Sequence, residues 1–353
     1  LCLQEEAADR ILAMLRGAMA ELRVGRPDRL CTDVGPVIDE EARAGIVRHV
    51  EALRARGCRV HTAGAPGDES LEAGSFVPPT LIEIDSLAQL QREVFGPVLH
   101  VLRYRREDLG PLLDAIHATG YGLTLGLHTR IDETVARVSG QARVGNVYVN
   151  RNMVGAVVGV QPFGGEGLSG TGPKAGGPMY LLRLLSARPG DGLPEGIVTG
   201  GEMTGASIVL PGPTGESNTY RLVPRAQVLC LAATAADLRT QLAALRAVGA
   251  GAVVPAQSAK ALQGLAPDER ASLRTVGDWT ATRLDIDLVL LHGSTDELTQ
   301  VQEHLARREG PVVCVERLAP GETVVPLERL VVERVVSVNT AAAGGNASLM
   351  AIG

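Results

Sequence analysis

Aromatic residues are scarce in this sequence. Phe, Tyr and Trp make up 3% of its 353 residues and Trp occurs once, too few ring faces to stack a run of nucleic-acid bases. Clusters of positive charge are missing as well. The 34 Lys and Arg stand among 40 Asp and Glu, and a formal net charge of -6 leaves no cationic stripe for a phosphate backbone. No nucleic-acid partner is expected for this segment. Cys2, Cys31, Cys58, Cys230 and Cys314 are far apart, odd in number and never spaced Cys-x-x-Cys. That argues against a disulfide framework and a zinc site, and points to a reducing, cytoplasmic compartment. The seven histidines include no i, i+4 pair of the kind that holds a metal. No apolar run reaches the roughly 18 residues of a membrane span, and no basic, apolar, small-residue leader opens the chain.

What is present is an apolar fraction of 45%, on a chain long enough for about two domains. Ala, Leu, Val and Gly dominate, which suits helices packed on sheets. Ala8, Ile11, Leu12, Leu15 and Met19 predict a helix from Glu5 to Leu22, stopped by Gly25 and Pro27. The "LCL" ahead of it reads as the end of a strand, so the chain starts in mid-element and is expected to be a piece of a longer protein. A second helix follows in "TDVGPVIDEEARAGIVRHVEALRARG", acidic at its start and ended by Gly57. "CRVHTAG", "SFVPPTLIEI" and "PVLHVLRY" read as strands, "DLGPLLDAIHATG" as a helix, "LTLGLHT" as a strand, "IDETVARVSGQA" as a helix and "GNVYVN" as a strand. This alternation predicts a parallel or mixed sheet. Residues 155–177 are rich in Gly, yet Pro162, Phe163, Pro173, Val157, Val158 and Val160 are more packing residues than a solvated tether carries. A shaped loop is expected there, and a linker in "SARPGDGLPEG", residues 186–196. Beyond it a second α/β pattern starts: strand "AQVLCLAA", helix "TAADLRTQLAALRAVGA" with Thr234 as N-cap, strands "GAVVPA" and "DLVLLHG", helix "TDELTQVQEHLARREG" and strand "PVVCVER".

Few residues stand out chemically. "QREVFGPVLHVL", an apolar stretch read as strand, carries Glu93 two residues before a Phe-Gly-Pro turn. Such a carboxylate can accept hydrogen bonds from a ribose diol, or simply point into water. The Gly-rich loop can bare its amides to a carboxylate, or merely thread a crowded core. Lys174 in "GTGPKAGG" does not complete a phosphate loop and is read as neutralising a helix terminus or a carboxylate. Cys2 is read as packing, His61 and His100 as ordinary surface or strand residues, and Trp279 as a core or interface anchor. The apolar end "RLVVERVVSVNTAAAGGNASLMAIG" should dock instead of fraying.

Glu93-Val94-Phe95-Gly96-Pro97, with "TDVGPVI", "SFVPPTLIE", "GNVYVNRN" and "QPFGGEGLSGTG" in matching order, resembles the aldehyde dehydrogenase superfamily. "VGAVVGVQPFGGEGLSGTGPKAGGPMYLLRLL" is similar to the glutamate semialdehyde dehydrogenase part of the proline utilization A family, bifunctional enzymes of proline catabolism. The resemblance implies that Glu93, with Phe95 in the same segment, holds the nicotinamide ribose of NAD. It implies that the amides of Gly155 and Ala156 anchor the α-amino acid end of L-glutamate γ-semialdehyde, and that Phe163 packs over its aliphatic chain. The family's nucleophilic Cys, general-base Glu and NAD-binding domain are expected upstream of Leu1, so no catalytic residue is assigned here and the chain alone is expected to be inactive. FAD would belong only to an upstream proline dehydrogenase domain, as would any membrane-surface association.

"AAGGNASLMAIG" resembles an Ala-Gly-Asn-x-x-x-x-Lys strand with Ala351 in place of the Lys, and "GPTGESNTYRLVPRAQVLCLAA" resembles another part of a dinucleotide-binding domain without its Gly-x-Gly-x-x-Gly. The expected fold is therefore α/β: a partial aldehyde dehydrogenase catalytic domain over residues 1–185, the linker, and a degenerate, noncatalytic Rossmann-like domain over 197–353. A homo-oligomer is expected. The alternative is a noncatalytic folding, oligomerisation or interaction module.

Overall fold

The computed structural model describes residues 1–63, 74–185, 207–271, 273–280 and 284–341. Two compact units, Leu1–Thr119 and Gly120–Gly353, make up the chain.

In the first unit, β1 (Cys2–Gln4) runs directly into α1 (Glu5–Glu21). The second helix, α2 (Glu40–Ala55), is capped by Asp39, whose side chain accepts the Ala42 amide at 2.8 Å, and Gly57 with φ 87° ends it. There follow β2 (Arg59–Thr62), β3 (Thr80–Ile84), β4 (Val98–Tyr104) and α3 (Leu109–Ala118). The sheet order is β1-β4-β3-β2, with only β2 antiparallel to its neighbour. Every residue of β3 is buried because both faces of the sheet are covered. Leu81 packs in a cluster with Ala8 and Leu12 of α1, and Ile82 and Ile84 pack with Ile46, Val50 and Leu53 of α2. Cys2 is half-buried in β1, in keeping with a packing role.

The second unit opens with β5 (Tyr121–Gly122), β6 (Thr124–Leu127), α4 (Asp132–Gln141), β7 (Asn146–Val149) and β8 (Glu166–Gly167). The described chain resumes with β9 (Ser207–Leu210) and β10 (Glu216–Pro224). An alternating run then supplies β11 (Val228–Leu231), α5 (Ala235–Val248), β12 (Ala252–Pro255), α6 (Ala259–Gln263), α7 (Pro267–Ala271), β13 (Arg274–Val276), β14 (Leu288–His292), α8 (Thr295–Ala306) and β15 (Cys314–Leu318). The last described strand is β16 (Val331–Asn339).

These strands form two five-stranded sheets and the two-stranded antiparallel pair β5-β8. The order β13-β12-β11-β14-β15 is wholly parallel, with Trp279 buried in its core as expected. The order β6-β7-β16-β10-β9 joins the ends of the unit: β16 lies parallel to β7 and antiparallel to β10. The docking expected of the apolar chain end is this insertion. Residues 186–196, expected as a linker, and "AAGGNASLMAIG" lie outside the described residues.

One strand is shorter than expected. The segment 91–97 is irregular and β4 begins only at Val98. Pro97 has no N–H to give a ladder, and its carbonyl instead takes the Thr80 amide at 2.9 Å.

His100 of β4 has a partner that sequence spacing hides. Its Nε2 lies 2.8 Å from Nε2 of His49 on α2, an arrangement that needs one ring neutral and accepting. Burial, and then the neighbouring His49, hold His100 down at about 4 against an ordinary 6.5. Between those values the unfolded chain takes up a proton that the folded chain refuses. The associated stability is complete above pH 6.5 and lost as pH falls through 4. A His100→Gln variant should therefore show a shallower fall in urea midpoint for the first unit across that interval than the parent chain; an equal fall would exclude His100 as its source.

Candidate functional site

The arm carrying Glu93 is held by its neighbours. Val94 packs into the α2-side core with Val37, Leu87 and Leu90. Gly96 is pressed against α2 so closely that a Cβ there would run into the Ile46 side chain. With Val94 turned in, Glu93 and Phe95 are turned out: Glu93 is exposed and the Phe95 ring is 82% exposed. Among the described residues Glu93 makes no hydrogen bond or ion pair. A free carboxylate beside a bare ring on a fixed arm suits a ligand that presents both hydroxyls and a flat apolar face.

In the second unit the Gly-rich segment is a clasped loop. Its glycines serve two purposes. A Cβ on Gly145, just ahead of β7, would come within 2.6 Å of Lys174 Nζ and overlap the Gly164 carbonyl, so glycine is demanded there by packing. Gly155 is different: nothing lies within 4 Å of where its Cβ would stand. Among the described residues, neither the Gly155 nor the Ala156 amide has an acceptor. Phe163 is half-buried and exchanges backbone hydrogen bonds with Ala175 at 3.0 and 2.9 Å, which turns the loop back on itself. Gly155 and Ala156 thus stand in one open loop with Phe163 on its return, while Glu93 and Phe95 belong to the other unit.

Lys174 fastens the return. Its side chain is 2% exposed, and Nζ donates to Asn146 Oδ1 at 2.8 Å and to the Gly164 carbonyl. The Lys174 amide donates to Glu333 Oε2 at 2.7 Å, and Tyr220 Oη donates to Glu333 Oε1 at 2.9 Å. Burial pushes the Lys174 ammonium down to about 8, against the opposing pull of Glu333 and then Glu166. Burial likewise pushes the Glu333 carboxyl and the Tyr220 hydroxyl up. The direct ion pair expected of Lys174 is not made among the described residues: its ammonium is held by the neutral oxygens of Asn146 and Gly164, while the nearby Glu333 carboxylate takes its backbone amide and Arg334 is bound to Glu166 at 2.9 Å.

The parallel sheet has its own crevice, between β11 and β14, where the strand order reverses and dinucleotide folds bind phosphate at a helix N-terminus. Here both helix starts are closed by the chain's own carboxylates. At α5, Thr234 Oγ1 donates to Asp237 Oδ2 at 2.7 Å, and Asp237 Oδ1 takes the Gly321 amide at 2.9 Å. At α8, Glu297 Oε2 takes the Ser294 amide at 2.8 Å in a capping box. His292, at the end of β14, is spent on Gln241 and the Glu322 carbonyl at 3.0 and 2.9 Å. A carboxylate in the first turn of each helix makes this crevice a poor anion site.

Residues 1–188 match the sequence profile of the Aldehyde dehydrogenase family. The chain belongs to the aldehyde dehydrogenase family. Among curated relatives of this aldehyde dehydrogenase chain, "Bifunctional protein PutA" of Escherichia coli (strain K12) is 51% identical over 401 residues, covering 100% of the chain and 30% of that protein. "1-pyrroline-5-carboxylate dehydrogenase" of Bacillus subtilis (strain 168) is 36% identical over 188 residues, 53% of the chain and 35% of that protein. The solved Proline Utilization A (PutA) from Corynebacterium freiburgense shares the fold: TM-score 0.67 at 21% identity, over 94% of the chain and 34% of that structure. The aldehyde dehydrogenase chain thus spans about 30% of the length of the Escherichia coli relative.

Sequence reasoning missed Gln161, Glu216, Asn218 and Glu333. A signal existed for three of them. In β10 and β16 the inward positions alternate with outward ones, and Glu216, Asn218 and Glu333 are polar residues at inward positions where apolar ones are usual.

Because the folded pKa of Lys174, about 8, lies below the ordinary 10.5, its contribution to stability is complete above pH 10.5 and lost as pH falls through 8. Urea midpoints of the parent aldehyde dehydrogenase chain should climb across that interval relative to those of a Lys174→Met variant, which has no proton to release. Parallel curves would show that Lys174 is not buried in its charged-state-disfavouring site.

Proposed function

We propose that this chain is one part of a longer bifunctional protein of proline catabolism, and that it contributes to the NAD-dependent oxidation of L-glutamate γ-semialdehyde to glutamate. Family membership supports the reaction class, and the names of the relatives support the substrate. The observation that carries the substrate assignment is Gly155: it has open space where a side chain would be, and its amide and that of Ala156 are unclaimed among the described residues. A pair of bare amides receives the α-carboxylate of the substrate, and the half-buried Phe163 offers its ring to the aliphatic chain. In the other unit, the free Glu93 carboxylate accepts the hydroxyls of the nicotinamide ribose and Phe95 supplies an apolar face. When bound, NAD supplies the hydride acceptor.

The attacking thiolate is not assigned to this chain. Burial raises the Cys2 thiol, and the fully buried Cys230 is pushed up to about 12, so neither is an activated nucleophile at neutral pH. In this proposal residues 1–185 are catalytic-domain sequence, 197–353 form a noncatalytic α/β domain, FAD serves only a proline dehydrogenase part of the longer protein, and the whole works in the cytoplasm as a homo-oligomer. Among the described residues no helix is long and apolar enough to cross a membrane.

Two measurements test this. The 353-residue chain by itself should reduce no NAD with the semialdehyde; turnover abolished by Cys2→Ser would overturn the assignment of Cys2. In the longer protein, Glu93→Ala should raise the KM for NAD about tenfold, the worth of one charge-assisted hydrogen bond. An unchanged KM would remove Glu93 from the cofactor site.

A further inference from the structure

We propose that Gln161, Glu216 and Asn218 are positioning residues that fix the Gly155–Ala156 amides, so that strand β10 sets selectivity for a carboxylate-bearing aldehyde. The proposal rests on the substrate assignment above. An anchor made of backbone amides has no rotamer to lock; its geometry is the path of the chain itself. Hydrophobic packing does little to hold that path, because Val154 and Val158 are 94% and 97% exposed. Polar clasps hold it instead.

The amide of Val157, next in the chain after Ala156, donates to Gln161 Oε1 at 3.0 Å, and the Gln161 amide returns to the Val157 carbonyl at 3.0 Å. Gln161 is itself oriented from β10. Its Nε2 donates to Glu216 Oε1 at 2.7 Å and to Asn218 Oδ1 at 2.9 Å, so a flipped carboxamide would set oxygen against two acceptors. Asn218 Nδ2 donates to the same Glu216 oxygen at 2.9 Å. The other Glu216 oxygen takes the Arg151 guanidinium, which lies over the Tyr148 ring with its carbon 5.1 Å from the ring centre. One carboxylate on β10 therefore grips both ends of the loop, at Arg151 and at Gln161. Gln161 and Asn218 are buried and the Arg151–Glu216 pair is nearly so, which shields the clasp from competing water.

Loosening this clasp leaves the amides in place but lets them wander. A substrate that uses them loses binding; an aldehyde with no carboxylate has nothing to lose. The test is carried out in the longer protein with Gln161→Met, which keeps length and apolar bulk and removes every hydrogen bond of the side chain. The KM for glutamate semialdehyde should rise about tenfold. The ratio of kcat/KM for the semialdehyde to that for propionaldehyde should fall by a similar factor, with the KM for NAD as in the parent. Equal losses for both aldehydes, or no change in the ratio, would overturn the proposal. Ala156→Pro, which deletes one anchoring N–H outright, separates it from the assignment beneath. If Ala156→Pro leaves the semialdehyde KM unchanged, the substrate assignment fails. If it raises the KM while Gln161→Met does not, only the positioning role fails. Should the Met variant not fold, Glu216→Gln gives the same readout: it leaves an acceptor for Gln161 while discharging the grip on Arg151, and the selectivity ratio either falls or the proposal does.

Discussion

Hydrogen bonding between β16 and β7 is the contact on which the second unit depends. It brings Val331–Asn339 between Asn146–Val149 and Glu216–Pro224 and makes one sheet of segments far apart in the chain. Register then decides everything on the two faces. Val336 and Val338 pair with Val147 and Val149 and turn to one apolar cluster, while Glu333, Val335 and Ser337 turn to the other side. A slip of one residue would exchange the two sets and bury Arg334 where Glu333 now meets Lys174.

The face toward the Gly-rich loop is polar for a sheet interior. Asn146, Asn218, Gln161, Lys174 and Glu333 are all buried there. Burying such groups is costly unless they are paired, and an apolar filling is often as stable or more so. What the polar layer adds is direction. Asn146 alone receives the Lys174 ammonium at 2.8 Å and the Gly164 amide at 3.3 Å, and gives its own Nδ2 to the Pro162 carbonyl at 3.0 Å. Leucines in these places would hold the loop near the sheet without specifying its path. The tight approach also needs Gly145, whose missing side chain is the space that the Gly164 carbonyl fills.

The local elements were largely readable from the chain. Helical spacing located α1, α2, α5 and α8, and Thr234 caps α5 as its hydroxyl predicts, accepting the Asp237 amide at 3.1 Å. Alternating elements also implied the parallel sheet. The exposed Glu93 and Phe95 could be singled out because a Phe-Gly-Pro turn is distinctive. What could not be read was partnership over long distances. "RLVVERVV" announces a strand that must dock, but nothing in its periodicity names β7 and β10 as its neighbours. Gln161 looks like one more polar loop residue until Glu216 and Asn218 stand beside it. His49 and His100 are equally silent, since a helix face and a strand face meet only in the folded unit. The crevice of the second sheet was legible by what it lacked, a glycine fingerprint, but not by the carboxylates of Asp237 and Glu297 that occupy its helix starts.

The Lys174 amide and the Glu333 carboxylate that receives it are 159 residues apart. A ribosome makes the loop long before it makes the strand that fastens it. During that interval the β7 edge that β16 will take is unpaired and the Lys174 amide lacks its acceptor, so the loop stays unfastened until Val331–Asn339 has emerged. Shape at the Gly-rich loop is thus set by a contact made long after the loop itself has been synthesised, which ties its assembly to the arrival of β16.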